Sequence, residues 1–440
     1  MIKSRISISR LDASKVGFQD QLTGLLNREM LVSDEVTTLV KNILKDVKCR
    51  GDQAIIDFTN EFDGFGVSSL EELFVPREKL LKSLARISSK QRRALEYAAE
   101  RIKEYHERQK QSSWQYEDAD GSVYGQRISP LEKVGLYVPG GKANYPSSVL
   151  MLGIPAKVAG VKEIIATVPT RYEEAADLIF AAAAISGISS LFTIGGAQAI
   201  GGLSYGTESV PKVDKITGPG NLYVTVAKKL VFGEVGIDMI AGPSELTIIC
   251  DGSTNPDWVA MDLFSQAEHD EQAQSILIST KEDYIDDVQE SIDRLFPDME
   301  RKEIIEKSLK DRGIFIKVRD LNEAAVVSNL IAPEHLEISV DNPTELLDSI
   351  NNAGAIFIGK YSAEALGDYC AGPSHVLPTS GTARFFSPLG VYDFQKRSSI
   401  IHCSATGANA MARTASELAR DESLQAHALS AEFRLNTELD

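Results

Sequence analysis

The sequence has few cysteines, fewer basic than acidic residues and no standard dinucleotide fingerprint, and the first two shortages each exclude a class of protein. Its 440 residues include four cysteines, and no two of them form a C-x-x-C pair. We therefore expect no disulfide framework, and the predicted compartment is a reducing cytoplasm. The 46 basic residues are outnumbered by 63 acidic ones, which gives a net charge of −17. Such a surface repels phosphate backbones, so no nucleic-acid partner is expected.

Neither a secretory signal nor a membrane span is predicted. The start, MIKSRISISRLDASKVGF, contains no apolar stretch typical of a signal peptide. Residues 178–207 carry no charged side chain and are long enough to cross a bilayer. They are, however, interrupted by glycines at Gly187, Gly195–Gly196 and Gly201–Gly202, and they divide into helix-like and strand-like pieces. A buried α/β core is therefore predicted, with a transmembrane span as the alternative.

Short β-rich runs alternate with helical runs from about Lys133 onward, beginning with GLYVPGG, SSVLMLGIPAKVAG and EIIATVP. This pattern is typical of parallel sheets covered by helices. We predict an α/β fold with two Rossmann-like domains, although no G-x-G-x-x-G occurs. The expected division is an N-terminal segment (1–30), a first domain (31–131 with 244–386), a second domain (132–243) and a C-terminal helical segment (387–440).

Glycine or proline follows several predicted strands of the second domain at their carboxyl ends. These turns are Pro139-Gly140-Gly141, Pro169, Gly195-Gly196 and Gly218-Pro219-Gly220. Open α/β sheets bind ligands at that edge, and small residues let backbone N–H groups approach a ligand. Ordinary turn chemistry is the favoured explanation for any single turn, but four such turns on one edge favour a ligand site.

Histidines near carboxylates or amides are the other candidates for chemistry. Gln266 and His269 are three apart on a predicted helix, so both side chains leave one face. They suit a metal site, but a surface or core-border histidine is the alternative. Glu334 and His335 lie on a loop before the strand-like LEISV. They suit acid–base work, and a loop salt bridge is the alternative.

Two further histidines sit beside acidic residues. Asp368 and His375 share the Gly/Pro-rich stretch GDYCAGPSHVLP, and Glu422 and His427 lie near the C-terminus. A metal held by nitrogen and oxygen ligands without sulfur suits Zn²⁺ or Mn²⁺.

His106 lies in a predicted amphipathic helix, whose buried face is assigned to Leu95, Ala98, Ala99, Ile102 and Tyr105. It is interpreted there as a solvated residue.

Long motifs throughout the chain resemble those of the histidinol dehydrogenase family. They are GLYVPGG, GGAQAI, YGTESVPKVDKITGPGN, AGPSE, SQAEHD, APEHLE, GDY followed by HVLPT, and DFQKR. The resemblance covers nearly the whole chain in order and is weakest in the first thirty residues. It implies an NAD-dependent enzyme with one Zn²⁺ per subunit that oxidises L-histidinol to L-histidine through L-histidinal, the last step of histidine biosynthesis.

The resemblance also implies roles for individual residues. The implied catalytic pair is Glu334 and His335, and the implied zinc ligands are Gln266, His269, Asp368 and His427. The residues expected to contact substrate are Ser244, Gln266, His269, His335, Asp368, His375, Glu422 and His427. Those expected to contact NAD are Tyr137, Gln198 and Asn221.

In the family the late histidine reaches the active site of the other subunit. The resemblance therefore implies a homodimer in which the C-terminal segment is exchanged. A dehydrogenase of the same fold that acts on another small alcohol is the main alternative. A zinc hydrolase and a non-catalytic metal-binding module are further alternatives, and they predict no use of a nicotinamide.

Overall fold

A computed structural model of the chain describes residues 5–26, 33–140, 145–170 and 174–435. Within these residues the strands form two six-stranded sheets and one three-stranded sheet. In chain order the strands are β1 (Ser9–Asp12), β2 (Phe74–Val75), β3 (Trp114–Glu117), β4 (Val123–Pro130), β5 (Lys133–Tyr137), β6 (Glu163–Thr167), β7 (Ser190–Phe192), β8 (Lys215–Thr217), β9 (Gly236–Ile237), β10 (Glu245–Cys250), β11 (Gln274–Ser279), β12 (Ile314–Lys317), β13 (His335–Ser339), β14 (Ala355–Ile358) and β15 (Gln395–His402).

Helices connect most of these strands, as the alternating pattern predicts. In chain order they are α1 (Phe18–Leu26), α2 (Asp34–Arg50), α3 (Asp52–Asp63), α4 (Arg77–Arg86), α5 (Ser89–Glu107), α6 (Pro146–Ala159), α7 (Glu174–Ser186), α8 (Gly196–Tyr205), α9 (Leu222–Val231), α10 (Pro256–Ala267), α11 (Glu282–Leu295), α12 (Lys302–Arg312), α13 (Leu321–Ile331), α14 (Pro343–Leu347), α15 (Glu364–Tyr369), α16 (Ala405–Asp421) and α17 (Gln425–Glu432).

The first sheet has the strand order β1-β12-β11-β10-β13-β14, and every neighbouring pair is parallel. Its central strands β10 and β11 read ELTIIC and QSILIS and are buried along their whole length. Such continuous burial is expected when helices cover both faces of a parallel sheet. Helices α10, α11 and α12 pack on one face, and α1 and α13 pack on the other.

The second sheet has the order β2-β7-β6-β5-β8-β9 and is parallel except for the edge strand β2. Helices α4, α5, α6 and α7 share one apolar cluster with this sheet. Helices α2, α3, α8 and α9 share the other. The two sheets confirm the predicted α/β class with parallel sheets.

The described part of residues 31–131 contributes strands to the second and third sheets and not to the first. They were expected with residues 244–386, but α2 to α5 pack on the second sheet and β2 joins it. The segment 1–30 was expected to stand apart, whereas β1 is an edge strand of the first sheet. These helices carry no strand pattern of their own, so their sequence does not specify the sheet that covers their apolar faces.

The C-terminal segment is not purely helical. Strand β15 pairs antiparallel with β4, which pairs antiparallel with β3, to form the third sheet. Helices α16 and α17 follow, and they pack on each other. The segment predicted as 387–440 is therefore joined by residues 114–130 from an earlier part of the chain.

The uncharged stretch 178–207 is part of the buried core around the second sheet, as predicted. It forms most of α7, then β7 and α8. Within the described residues, none of the helices is long and apolar enough to cross a membrane.

His106 is fully buried, which corrects its interpretation as a solvated residue. It follows Ile102 by one helical turn on the buried face of α5, and its Nδ1 lies 2.7 Å from the Ile102 carbonyl oxygen. Tyr105, which was assigned to that face, is 41% exposed. Burial lowers the pKa of His106 below its usual range.

Candidate active site

Glu334 and His335 lie at the start of β13, beside the start of β10, and both side chains are buried. The Nδ1 of His335 lies 2.9 Å from the carbonyl oxygen of Glu245. A carbonyl only accepts, so Nδ1 carries the proton. The backbone N–H of Glu245 donates to Oε2 of Glu334 at 2.8 Å. The backbone of one residue therefore fixes both members of the pair and leaves Nε2 of His335 as the nitrogen that can take a proton.

Carboxylates surround the imidazole of His335. Its Nε2 lies 3.6 Å from Oδ1 of Asp368 and 4.0 Å from Oε1 of Glu364. Burial alone would lower the pKa of His335, but Glu334 and these two carboxylates outweigh it and raise that pKa well above its usual range. A cation bound beside these carboxylates would offset their charge, which favours the neutral ring. Burial also raises the pKa of Glu334 to about 8.

His269, Glu364 and Asp368 form a group that fits a metal ion. Each presents one ligand atom, and these atoms lie within 4.8 Å of one another. His269 comes two residues after the end of α10, and the two carboxylates project from α15. Burial lowers the pKa of His269. A neutral imidazole is the form that binds metals, so this shift favours coordination.

Gln266 lies in the last turn of α10, three residues before His269, and is fully buried. Among the described residues, neither Oε1 nor Nε2 of its amide has a hydrogen-bond partner. Leaving a buried amide unpaired costs roughly 1–3 kcal/mol, so such a group is expected to have a ligand. This unpaired amide, an imidazole and carboxylates form the oxygen and nitrogen donor set that zinc accepts.

Glu364 was not predicted from the sequence, although it lies four residues before Asp368 on the same helix face. It is buried, as is Glu337, and Asp262 nearby is half-buried. Burial raises the pKa of Glu364 to about 7 and that of Asp262 to about 6. Burial and then Asp262 raise the pKa of Glu337 well above its usual range. Glu364, Asp262 and Glu337 are therefore weaker acids than ordinary carboxylic acids.

Of the expected substrate contacts, His375 lies beside this group and Ser244 lies at the start of β10. The Nδ1 of His375 is 2.9 Å from the carbonyl oxygen of Asp368, and its Nε2 is 3.2 Å from Oγ of Ser148 on α6. His375 thereby connects Asp368 on α15 to α6, a helix of the second sheet. Ser244 directly precedes Glu245 at the start of β10.

The three expected NAD contacts follow strands of the second sheet. Tyr137 ends β5, Gln198 lies in the first turn of α8, and Asn221 precedes α9. The Tyr137 hydroxyl accepts the N–H of Gly196 at 3.1 Å, while Asn221 caps α9 through the N–H of Val224. The Oε1 of Gln198 is buried without a partner among the described residues.

The turn after β8 lies in close contact with the backbone at the end of β5. Gly218 has a φ of +115°, and a Cβ there would lie 2.1 Å from the Tyr137 carbonyl oxygen, so only glycine fits. Gly141, the last residue of the first predicted turn, lies outside the described residues.

The structure does not bring the C-terminal candidates to the metal-ligand group of the same chain. His427 lies on α17, Glu422 directly follows α16, and both are exposed. Among the described residues, the group that could hold a metal contains His269, Glu364 and Asp368 without His427.

Known proteins resemble the chain over nearly its whole length. The family model for histidinol dehydrogenase matches residues 26–435. The histidinol dehydrogenase of Pseudomonas aeruginosa is 61% identical over 429 residues, which cover 98% of this chain and 98% of that protein. The one from Pseudomonas savastanoi pathovar phaseolicola is 60% identical over 429 residues, covering 98% and 96%. The chain belongs to the histidinol dehydrogenase family.

A solved structure agrees with this assignment. The crystal structure of histidinol dehydrogenase from Elizabethkingia anophelis superposes with a TM-score of 0.90 at 33% identity. The match covers 97% of this chain and 98% of that one. The resemblance inferred from the motifs is thus confirmed, and the chain is an enzyme of the histidinol dehydrogenase family, with the fold of that family.

Proposed function

We propose that the protein catalyses the NAD-dependent, four-electron oxidation of L-histidinol to L-histidine through L-histidinal, as the last step of histidine biosynthesis in the cytoplasm. The observation that carries this proposal is the paired geometry of Glu334 and His335. Both are fixed by the backbone of Glu245, and Nε2 of His335 faces the metal-ligand group. Membership of the histidinol dehydrogenase family supports the choice of substrate.

Zinc is the proposed metal, held by Gln266, His269 and Asp368 with His427 of the partner subunit. The unpaired amide of Gln266 and the lowered pKa of His269 support this donor set. Bound zinc supplies a Lewis acid that can anchor the nitrogen atoms of the substrate, and NAD⁺ accepts the electrons. The proposed residues for NAD are Tyr137 at the end of β5, Gln198 at the start of α8 and Asn221 at the start of α9. Ser244, His375 and Glu422 are proposed to contact the substrate.

His335 is the proposed base for the alcohol. Its Nδ1–H is occupied by the Glu245 carbonyl, so Nε2 takes the hydroxyl proton as the carbon is oxidised. Glu334 is the proposed residue that activates water for addition to the aldehyde. A pKa of about 8 lets this carboxyl both accept and release a proton near neutral pH. After His335 has released the first proton to solvent, it serves again as base, because the hydrated aldehyde loses a hydroxyl proton while a second NAD⁺ accepts the hydride.

A homodimer is proposed to complete the site. Several large apolar side chains on the third sheet and the C-terminal helices are exposed in the single chain: Trp114, Tyr116, Ile401, Leu418 and Phe433. Ile401 is 71% exposed and Phe433 is 84% exposed. Apolar surface of this kind marks an interface, and a symmetric dimer places each C-terminal segment on the other subunit. This arrangement would also account for the distance of His427 from its own chain's metal-ligand group.

The test is NADH formation by the purified protein from L-histidinol and from a panel of other small alcohols, with and without a zinc chelator. We expect turnover of L-histidinol that the chelator abolishes and added zinc restores. Turnover of a different alcohol alone would favour another dehydrogenase of the same fold. No NADH from any substrate in the presence of zinc would refute the proposal.

A further inference from the structure

Glu337 is a buried carboxylic acid for which the proposed reaction has no role. It follows His335 by two residues on β13, so both side chains leave the same face of the strand. Its side chain is 4% exposed, and the residues paired with it on the neighbouring strands are the apolar Ile248 of β10 and Phe357 of β14. A buried carboxylic acid at such a place is costly unless its oxygen atoms have partners. The hydrogen-bond partner of Glu337 lies on α15, the helix that carries Glu364 and Asp368.

One oxygen of Glu337 accepts the backbone N–H of Glu364, the first residue of α15, at 2.7 Å. The residue before this helix is Ala363, which has no side-chain acceptor and makes no capping hydrogen bond. The first N–H groups of a helix need an acceptor from outside the helix. Glu337 supplies one from the neighbouring strand and thus takes the place of an N-cap side chain.

Helix α15 carries two members of the metal-ligand group, Glu364 at its start and Asp368 one turn later. It has six residues, and a helix this short has little stability of its own. Its position therefore depends on contacts with its neighbours. The hydrogen bond from Glu364 N–H to Glu337 is one such contact, and it is charge-assisted when the acid is ionised.

A second contact joins α15 to α10. Oε2 of Glu364 accepts the hydroxyl of Ser265 at 3.2 Å, and that hydroxyl also lies 2.8 Å from the carbonyl oxygen of Asp262. Ser265 directly precedes Gln266. The chain of contacts Glu337, Glu364 and Ser265 therefore connects β13, α15 and α10. These three elements carry His335, Asp368 and Gln266.

We propose that Glu337 is a positioning residue that anchors the start of α15 and thereby sets the place of Asp368 relative to Gln266 and His335. It touches neither the substrate nor the metal in this assignment. Groups that orient metal ligands typically change metal affinity by roughly 10- to 100-fold when they are removed. The assignment rests on the proposed zinc site, and its test must separate the two.

The test compares Glu337→Gln with Glu337→Val. Both remove the acid, but only glutamine keeps an oxygen that can accept the Glu364 N–H. Zinc affinity is measured by competition with a chromogenic chelator, alongside kcat and KM for L-histidinol. We expect Glu337→Gln to bind zinc nearly as tightly as the wild type, and Glu337→Val to bind it about tenfold or more weakly.

Two further variants control for general destabilisation. Gln289→Val removes a buried side-chain hydrogen bond to the Ile6 carbonyl from α11, which also packs on the first sheet. This change should lower Tm without changing zinc affinity. Ser265→Ala removes the second link to Glu364 and should weaken zinc binding even if Glu337→Val does not fold.

Equal zinc affinity for the two Glu337 variants, or unchanged affinity in Ser265→Ala when the Val variant does not fold, would overturn the assignment alone. A wild-type protein that binds no zinc would overturn the proposed metal site as well.

Discussion

Nδ1 of His335 donates to the carbonyl oxygen of Glu245, and the N–H of the same Glu245 donates to Glu334. The tautomer of the histidine and the orientation of the acid are therefore set by two adjacent backbone groups at the start of β10. Because the backbone supplies both contacts, substitution of the Glu245 side chain leaves their donor and acceptor in place. The roles of Glu334 and His335 can then be tested by changing those two side chains alone.

His335→Asn is expected to lower kcat for L-histidinol by about 10²- to 10⁴-fold, the usual contribution of a general base. The asparagine can still occupy the site but cannot take a proton near neutral pH. Steady-state NADH formation measures the effect, and zinc content serves as the control. A variant with normal zinc content and near-normal kcat would exclude His335 as the base.

Glu334→Gln is expected to slow oxidation of L-histidinal much more than formation of the aldehyde from L-histidinol. The amide keeps the shape of the acid but cannot accept a proton from water. Single-turnover experiments with an aldehyde trap measure the first step, and added L-histidinal measures the second. Equal losses in the two steps would contradict the assignment of Glu334 to water activation.

Gln266→Leu is expected to separate zinc binding from folding stability. The wild-type amide is buried without a partner among the described residues, so an apolar side chain of similar size should not destabilise the metal-free protein. The rise in Tm on adding zinc should shrink, because the variant lacks one ligand. A metal-free variant with a much lower Tm, or a full rise with zinc, would argue against the role of Gln266.

Mixing two inactive variants tests whether His427 acts in the other subunit. In a heterodimer of His335→Asn and His427→Asn, one of the two sites regains every wild-type side chain if the C-terminal segment is exchanged. Random reassociation should then restore about a quarter of wild-type activity. A variant that carries both substitutions in the same chain provides the background activity. Failure to recover activity, with heterodimers present, would place His427 in its own subunit's site.

His106 is expected to make stability depend on pH. Its pKa is lowered in the folded protein, so the unfolded chain binds a proton more readily. Stability is then lost as pH falls below the unfolded pKa of about 6.5, by up to about 1.4 kcal/mol per pH unit. His106→Gln should flatten the decline in Tm between about pH 7 and pH 5.5. His402→Gln, at an exposed position, is the control and should not. Equal slopes for both variants would contradict this account.

The sequence predicted the alternating strands and the position of Glu334 and His335 well, because these signals are local. LEISV is a short apolar run after a proline, and it places Glu334 and His335 at the start of a strand, where the structure has them. The uncharged 178–207 stretch was likewise resolved by its own glycines. Neither inference requires knowledge of distant contacts.

Features that depend on packing between distant parts of the chain could not be predicted from the sequence. Helices α2 to α5 present apolar faces that either sheet could cover, so the sequence pattern assigns these helices to the wrong sheet. His106 is an imidazole among charged neighbours in sequence, yet it lies one turn after Ile102 on the buried face. Glu337 reads as the polar position of a strand, and only the approach of α15 gives its oxygen a partner.

The most direct test of the account is the number of NADH molecules formed per molecule of L-histidinol at completion, with the product identified by mass spectrometry. A single site in which His335 serves twice and Glu334 supplies the water predicts two NADH and L-histidine. A single NADH with accumulated L-histidinal, in zinc-loaded protein, would contradict it.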